Sequence, residues 1–546
     1  MEITYKDKII KAQKGTKIKE VLKEEIETSK YNIMGALVNN EYQNIEYELK
    51  EDAHIKLLDM SDKEGMKIYR RTLIFIMGMA FSKIYPEALL TVNYQLSHSM
   101  FCEIENMEVT EEVIENVTKK MKELILAQLP IEKKVMNRKE AQEFFDKTKT
   151  IKGKLQLDLK TNKEIKMYFC QDYYNYFYGM LASNTKFLNL FEIVKYDNGF
   201  LIKYPSSKNP LEIAKDKENK KLAWSLNEYD DLHKVLGVNT VYKLNKAIEE
   251  NRIKDVIMLD EALHEKKIAL IADEISRRKN TKIVLIAGPS SSGKTTFAQR
   301  LGIQLKINGL KPVTISVDNY FVERKDTPKD KDGNYDFESI EAIDLNLFND
   351  HLTKLLNGEE IEMPEFDFHV GTKRYNGKKM RLAEDEILVI EGIHCLNDKL
   401  TSQIEKDKKY KIYISALTVL NMDRYNRIST TDTRLIRRIV RDYQFRSYSA
   451  IHTLNTWHQV TDGEEKNIFP YQEEADVMFN SSLSYELAVL KQYVEPLLFA
   501  VDKNSEEYLE AKRLLKFFDY FVGIGSECVP TNSLLREFIG GGCFQV

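Results

Sequence analysis

Four groups of residues carry side chains suited to handling phosphate and moving a proton. The first is Gly288, Pro289, Ser290, Ser291, Ser292, Gly293, Lys294 and Thr295, followed by Thr296. This is the phosphate-binding loop spacing G-x-x-x-x-G-K-[ST]. The glycines let successive backbone N–H groups turn inward toward phosphate oxygens. In that reading Lys294 reaches the β- and γ-phosphates, and Thr295 offers its hydroxyl to Mg²⁺. The second group is Asp318, which follows Ser316 and Val317 at the end of an apolar run. A carboxylate there can take a hydroxyl proton or hold Mg²⁺. The third is Glu391, again directly after an apolar run, at a position where an acid holds Mg²⁺. The fourth is the set Arg434, Arg437, Arg438 and Arg441, three or four residues apart. Three of them share a helix face. Beside a triphosphate such a face acts as a lid that neutralises the moving phosphoryl group.

These groups need a scaffold, and the surrounding pattern supplies one. Residues 283–287, Ile-Val-Leu-Ile-Ala, suit a strand buried on both faces. Phe297, Ala298, Leu301 and Leu305 recur at helical spacing, and Gly309 supplies a stop. A helix there turns its positive end to the same phosphates. Short apolar strands are expected at 313–317, 386–390, 411–415 and 476–480, alternating with helical stretches. That pattern predicts a parallel sheet wrapped by helices. In such sheets ligands sit at the carboxyl ends of the strands, where Asp318 and Glu391 fall.

The chain has 546 residues, long enough for three or four domains. Its net charge of −4 gives no global pull toward nucleic acid. The five cysteines, Cys102, Cys170, Cys395, Cys528 and Cys543, form no CxxC pair and read as reduced thiols. No apolar leader is evident, and the longest apolar run, near 73–81, is too short to span a bilayer. The expectation is a soluble, cytoplasmic protein with no membrane contact.

Residues 1–62 alternate short strand-like runs (1–5, 8–11, 35–39, 55–58) with turns and one helix-like stretch at 18–25. With KGT at 14–16 and ALVNNEY at 36–42, this module resembles the β-grasp TGS domain that opens many threonyl-tRNA synthetases. Residues 63–200 resemble the editing domain of the same synthetases. The phrases are MAFSKIYPEA (79–88), AQLPIEKKVMNRKEAQEFF (127–145) and the stretch 172–185. The resemblance implies a hydrolytic HxxxH pair and a later CxxxH pair. Those positions fall on Phe75 and Met79, and on Phe177 and Leu181. Apolar side chains neither ligate a hard metal nor move a proton at neutral pH. The implied domain is an editing fold without its chemistry, kept to bind a ligand, to pack, or to mediate assembly such as a homo-oligomer. Residues 201–254 read as a linker, from Tyr204-Pro205-Ser206-Ser207 and the charged run 215–221, with helical spacing resuming at 236–248 and at 259–276. The last domain is placed at 255–546.

That domain resembles the uridine kinase/phosphoribulokinase family over roughly 282–490. The matching text is GPSSSGKTT, SVDNYF (316–321), NYDFESIEAID (334–344), MPEFDF (363–368), LVIEGIHCLN (388–397) and DTRLIRRIVRD (432–442). The resemblance implies an ATP- and Mg²⁺-dependent kinase that phosphorylates a primary hydroxyl. Ser290, Ser291, Ser292, Lys294, Thr295 and Thr296 then serve the nucleotide, and Thr295, Asp318 and Glu391 the metal. Asp318 is the implied base. Asp336 and Arg434 match positions that bind ribose hydroxyls, and Arg437 and Arg441 match lid residues on phosphate. Uridine kinases also place a base-contacting Tyr and His near MPEFDF. Here those positions are Phe366 and the neighbourhood of Gly371, so a pyrimidine edge loses specific partners. A non-nucleoside sugar or polyol acceptor is therefore one alternative. A regulatory P-loop protein associated with tRNA through its front half is another.

Overall fold

Alternation and turn chemistry build the first sheet. The computed structural model describes residues 1–148, 164–213, 219–329, 333, 335–367, 370–418 and 420–544. Asn334, Phe368 and most of the charged run at 215–221 lie outside the described residues. Strands β1 (Glu2–Tyr5), β2 (Lys8–Lys11), β3 (Ile33–Val38), β4 (Glu41–Gln43) and β5 (Ala53–Asp59) pair in the order β2-β1-β5-β3-β4. β1 and β5 run parallel and the other pairs antiparallel. Ile3, Ala36 and Ile55 share one apolar cluster with Ile18 of the short helix Ile18–Val21 and with Leu22, which joins that helix to a second, Lys23–Glu27. This is a β-grasp-like arrangement.

The chain then enters a long helix, Lys63–Ile84, buried along most of its length. Strands β6 (Leu90–Leu96), β7 (Ser99–Ile104), β8 (Glu132–Asn137), β9 (Glu164–Cys170), β10 (Tyr173–Tyr176), β11 (Glu192–Tyr196) and β12 (Gly199–Lys203) follow. They form two antiparallel sheets, β11-β12-β7-β6 and β10-β9-β8. A second helix, Glu111–Leu126, is capped by the Thr110 hydroxyl, which accepts from the Val113 amide. This α+β assembly and the β-grasp sheet share one compact unit, Met1–Asn219 with Thr240–Tyr242 and Leu420–Arg427.

The second unit comprises Lys220–Asn239, Lys243–Val419 and Ile428–Val546. Residues 201–254, read from composition as a linker, are instead structured. They hold β12, the pair β13 (Pro205–Ser206) and β14 (Asn209–Ile213), and helices Lys220–Leu236 and Val241–Glu249. Charged and turn residues there mask a buried set that includes Leu222, Leu226, Tyr229 and Leu244. The helical spacing expected from 236 is broken at Gly237, which takes a φ of +67°.

The main sheet of this unit contains β15 (Ile283–Ala287), β16 (Lys311–Ser316), β19 (Glu386–Glu391), β20 (Lys409–Ser415) and β21 (Val477–Asn480). All four expected later strands are present, and β17 (Glu360–Asp367) and β18 (Thr372–Arg381) form a separate antiparallel hairpin. The sheet order is β16-β19-β15-β20-β21, all parallel. β15 lies at its centre with every residue buried, as its unbroken apolar run requires. Helix Ile253–Arg277 packs Ile268, Ile271 and Ile275 against the sheet, and helix Lys294–Ile307 packs Phe297, Leu301 and Leu305. Among the described residues no helix is long and apolar enough to cross a membrane, and all five cysteines are free.

Candidate active site

The joint between β15 and helix Lys294–Ile307 is the glycine-flanked loop. Gly293 stands at the helix N-cap with φ +87°, and Ser291 also has positive φ, +59°. Gly288 has no room for a side chain: a Cβ there would overlap the Ile414 carbonyl of β20. Lys294 folds back over the loop, its Nζ donating to the carbonyls of Gly288 (3.0 Å) and Pro289 (3.3 Å). The hydroxyls of Ser291, Ser292 and Thr296 are buried without a hydrogen-bond partner. Buried hydroxyls are usually paired. Three orphans in one loop, at the positive end of a helix, are the polar atoms that phosphate oxygens would satisfy.

Acids gather around Lys294. Glu391 ends β19, which lies beside β15. Burial pushes its carboxyl up to about 7, with Lys294 opposing and Asp318 and Glu537 adding to the rise. Asp318 follows β16 in a short turn, where its amide donates to the Ser316 hydroxyl. Its side chain is exposed to solvent, yet it sits amid enough protein to be raised above the usual aspartate value, with Lys294 and Arg446 opposing. Thr295 occupies the first helical turn, half-buried. The donor set of Thr295, Asp318 and Glu391 fits Mg²⁺, which takes one or two carboxylates and completes its shell with phosphates and water. Among the described residues no group of three His, Cys, Asp or Glu is placed to hold a metal by itself.

The arginines behave differently from a free lid. In helix Thr430–Arg446, Arg434 is 2% exposed and bonds Glu464 through both nitrogens, at 2.5 and 2.8 Å. Arg437 is fully buried, held by Glu486 (2.6 Å) and Ser481, and stacked over Phe538. Both also donate to loop carbonyls, Arg434 to Ser290 and Arg437 to Ser291. The two therefore brace the loop from behind, because buried guanidinium groups need buried partners. Arg434 in this setting faces Glu464. Arg438, to which the family resemblance gives no role, reaches the loop: its guanidinium donates to the Ser290 hydroxyl at 2.7 Å. Arg441 lies 3.9 Å from Glu537, and burial lowers its pKa to about 10.

Two further carboxylates touch the loop and carry no motif. Glu464 accepts the Ser290 amide at 2.8 Å, and Glu537 accepts the Thr296 amide at 3.2 Å. Both are buried. Glu338, inside the NYDFES stretch, is raised to about 7 by burial and by Glu464, with Lys294 opposing. Glu338 and Glu537 have apolar or aromatic neighbours as a sequence signal, whereas Glu464 lies in a charged run and carries none.

Phe366 on β17 is buried and packs on Phe321, ring centroids 5.5 Å apart. Phe321 in turn meets Phe337. Asp336 sits one residue before Phe337, its amide bonded to the Pro328 carbonyl at 2.8 Å. Gly371 has φ +78°, and the space where a side chain would project is filled by Arg324. Arg324 and Gly371 are also joined by a backbone bond of 2.9 Å. In the first unit, Phe75, Met79, Phe177 and Leu181 fall in one apolar cluster, with Phe75 and Phe177 ring centroids 5.9 Å apart.

Comparison with known proteins gives two kinds of relative. Residues 283–487 match the sequence model of the phosphoribulokinase/uridine kinase family. A uridine kinase from Mycoplasma genitalium is 30% identical over 227 residues, covering 41% of this chain and 97% of that protein. A uridine kinase from Deinococcus deserti is 29% identical over 164 residues, 30% of this chain and 70% of that protein. The N-terminal region is similar to a threonine–tRNA ligase from Clostridium tetani, 29% identical over 171 residues, 31% of this chain. The chain spans only 27% of that ligase's length. Among solved structures, a possible uridine kinase from Bacillus stearothermophilus aligns at 19% identity with a TM-score of 0.24, over 37% of this chain and 89% of that one.

Proposed function

The chain belongs to the phosphoribulokinase/uridine kinase family through residues 283–487, and on that premise we propose that it transfers the γ-phosphoryl group of ATP to a primary hydroxyl of a nucleoside. Backbone amides of 291–295 and the orphan hydroxyls of Ser291, Ser292 and Thr296 bind phosphate oxygens. Lys294 swings from the Gly288 and Pro289 carbonyls to the β- and γ-phosphates. Thr295, Asp318 and Glu391 would hold Mg²⁺, which supplies positive charge at the oxygens where charge builds. Asp318 accepts the proton of the acceptor hydroxyl as its oxygen bonds to the γ-phosphorus and ADP departs. An aspartate whose proton affinity is raised by its surroundings is a better proton acceptor. Arg434 and Arg437 keep the loop in shape, and Arg438 and Arg441 face the migrating charge. Catalysis is then mostly positioning and charge neutralisation.

The observation that carries this reading is the loop with three unpartnered buried hydroxyls, supported by Lys294 and ringed by carboxylates. ATP consumption measured against a panel of nucleosides, with Lys294→Ala as the blank, tests it. Turnover that survives Lys294→Ala would contradict it. A second reading concerns the acceptor alone. The aromatic wall of Phe366, Phe321 and Phe337 takes a flat ring, while Arg324 lies against Gly371 where uridine kinases carry an imidazole. That change favours an acceptor other than a pyrimidine nucleoside, and a parallel panel of sugars and polyols separates the two.

A further inference from the structure

The connection from β20 to the arginine helix runs from 416 to 429, well beyond the roughly 2–6 residues usual between a strand and a helix. Its middle, Leu420–Arg427, groups with the first unit. The segment is a tight knuckle. The Asp423 carboxylate accepts the amides of Tyr425 (2.8 Å) and Asn426 (2.9 Å), and Asn421 and Arg427 bridge its base.

Tyr425, near the tip, is 6% exposed and belongs to the apolar cluster that contains Phe75, Met79, Phe177 and Leu181. Its ring meets Phe177 edge-on at 6.4 Å. Gly78, on the helix that carries Phe75 and Met79, makes the room. A Cβ there would come within 2.9 Å of the Tyr425 ring and 2.5 Å of the Tyr173 hydroxyl. Polar clips fix the knuckle on three sides. The Val92 amide donates to the Arg424 carbonyl at 2.8 Å. The Tyr178 amide donates to Asn426 Oδ1 at 3.0 Å, and Asn426 Nδ2 donates to the Tyr176 carbonyl at 3.2 Å. The Arg424 guanidinium grips the Glu105 carboxylate at 2.7 and 2.9 Å.

We infer that the cleft corresponding to the hydrolytic centre of the editing fold is a dock for the chain's own Leu420–Arg427, with Tyr425 as its plug. Of the apolar residues at the four corresponding positions, Phe177 meets the ring directly and the other three share its apolar cluster. A ring buried among apolar side chains with its flanking backbone paired gains both contact and polar satisfaction. A glycine at 78 is needed for the same reason. The knuckle is the direct lead into the helix bearing Arg434, Arg437, Arg438 and Arg441, so the dock anchors the entry to that helix.

Arg424 and Arg427 make trypsin a reporter on the full-length protein. Both bonds should resist cleavage in the unaltered chain and in Tyr425→Phe. Tyr425→Ala, and Gly78→Leu from the opposite wall, should each speed cleavage there at least tenfold. Hydrogen exchange on the unaltered protein needs no variant and should show the amides of Val92, Tyr178, Tyr425 and Asn426 exchanging slowly. Rapid exchange of these four, or a soluble, folded Gly78→Leu with undiminished resistance, would overturn the dock. The anchoring consequence rests on the kinase reading and has its own readout. Gly78→Leu should lower kcat several-fold with nucleotide affinity unchanged; an unchanged kcat in a chain whose knuckle is shown to be released would overturn that consequence while leaving the dock standing.

Discussion

Replacing Glu391 by glutamine should stabilise the second unit at alkaline pH and do almost nothing in acid. Burial, with Asp318 and Glu537 close by, lifts this carboxyl from 4.5 to about 7 against the pull of Lys294. Each unit of pKa is worth about 1.4 kcal/mol, so the full shift corresponds to about 3–4 kcal/mol. The side chain is partly exposed, and solvent screening reduces the expected effect to about 2 kcal/mol. The sign follows from linkage. Below pH 4.5 the group is protonated whether the chain is folded or unfolded, and it costs nothing. Between 4.5 and about 7 the unfolded chain ionises while the folded one resists, so stability falls, and above 7 the loss is complete. Glu391→Gln removes that loss. Both tryptophans, Trp224 and Trp457, lie in the second unit, so their fluorescence during urea unfolding reports on this unit alone. The expected result is a gain of about 2 kcal/mol at pH 8 that vanishes by pH 4.5. Millimolar Mg²⁺ should narrow the gap at pH 8, because a bound cation favours the ionised carboxylate. A gain of equal size at both pH values would refute the reasoning and assign the effect to packing.

Other perturbations test the surrounding contacts. Glu537→Gln removes a carboxylate that already holds the Thr296 amide, so ATP should bind about tenfold more tightly in equilibrium dialysis, the worth of roughly one charge at a helix N-terminus; weaker binding would contradict this. Arg434→Met strands buried Glu464 and should cost about 3–5 kcal/mol in urea unfolding, most of which the double variant Arg434→Met/Glu464→Met should recover. Gly288→Ala drives a methyl into the Ile414 carbonyl, so nucleotide binding measured by calorimetry should be lost even where the circular dichroism spectrum is unchanged.

The sequence exposes what is local and hides what is paired at a distance. The loop, its strand and its helix lie within a few turns of one another, so spacing alone places Gly288 to Thr296, and the parallel strands show as unbroken apolar runs. The arginine helix was legible as a cationic face, but its partners were not. Glu464 and Glu486 stand 30 and 49 residues beyond Arg434 and Arg437, and nothing in an isolated glutamate announces that it will be buried. The same holds for Glu537, near the C-terminal end. Residues 201–254 misled because charged and turn residues dominate their composition, whereas the few buried apolar side chains decide their structure. Gly78 and Tyr425 are separated by most of the chain, and a lone glycine in a helix or a lone tyrosine in a loop gives no hint that one makes space for the other.

The central claim is that the loop seats a triphosphate beside Asp318 so that an alcohol can take its terminal phosphoryl group. Its most direct test follows the label from γ-³²P-ATP into a panel of alcohols, with the unaltered chain and Asp318→Asn side by side. The account predicts a labelled phosphomonoester of one acceptor class, a rate lowered about 10²- to 10⁴-fold in Asp318→Asn, and ATP affinity that changes little. Label appearing only in inorganic phosphate, or transfer at full rate by Asp318→Asn, would contradict it.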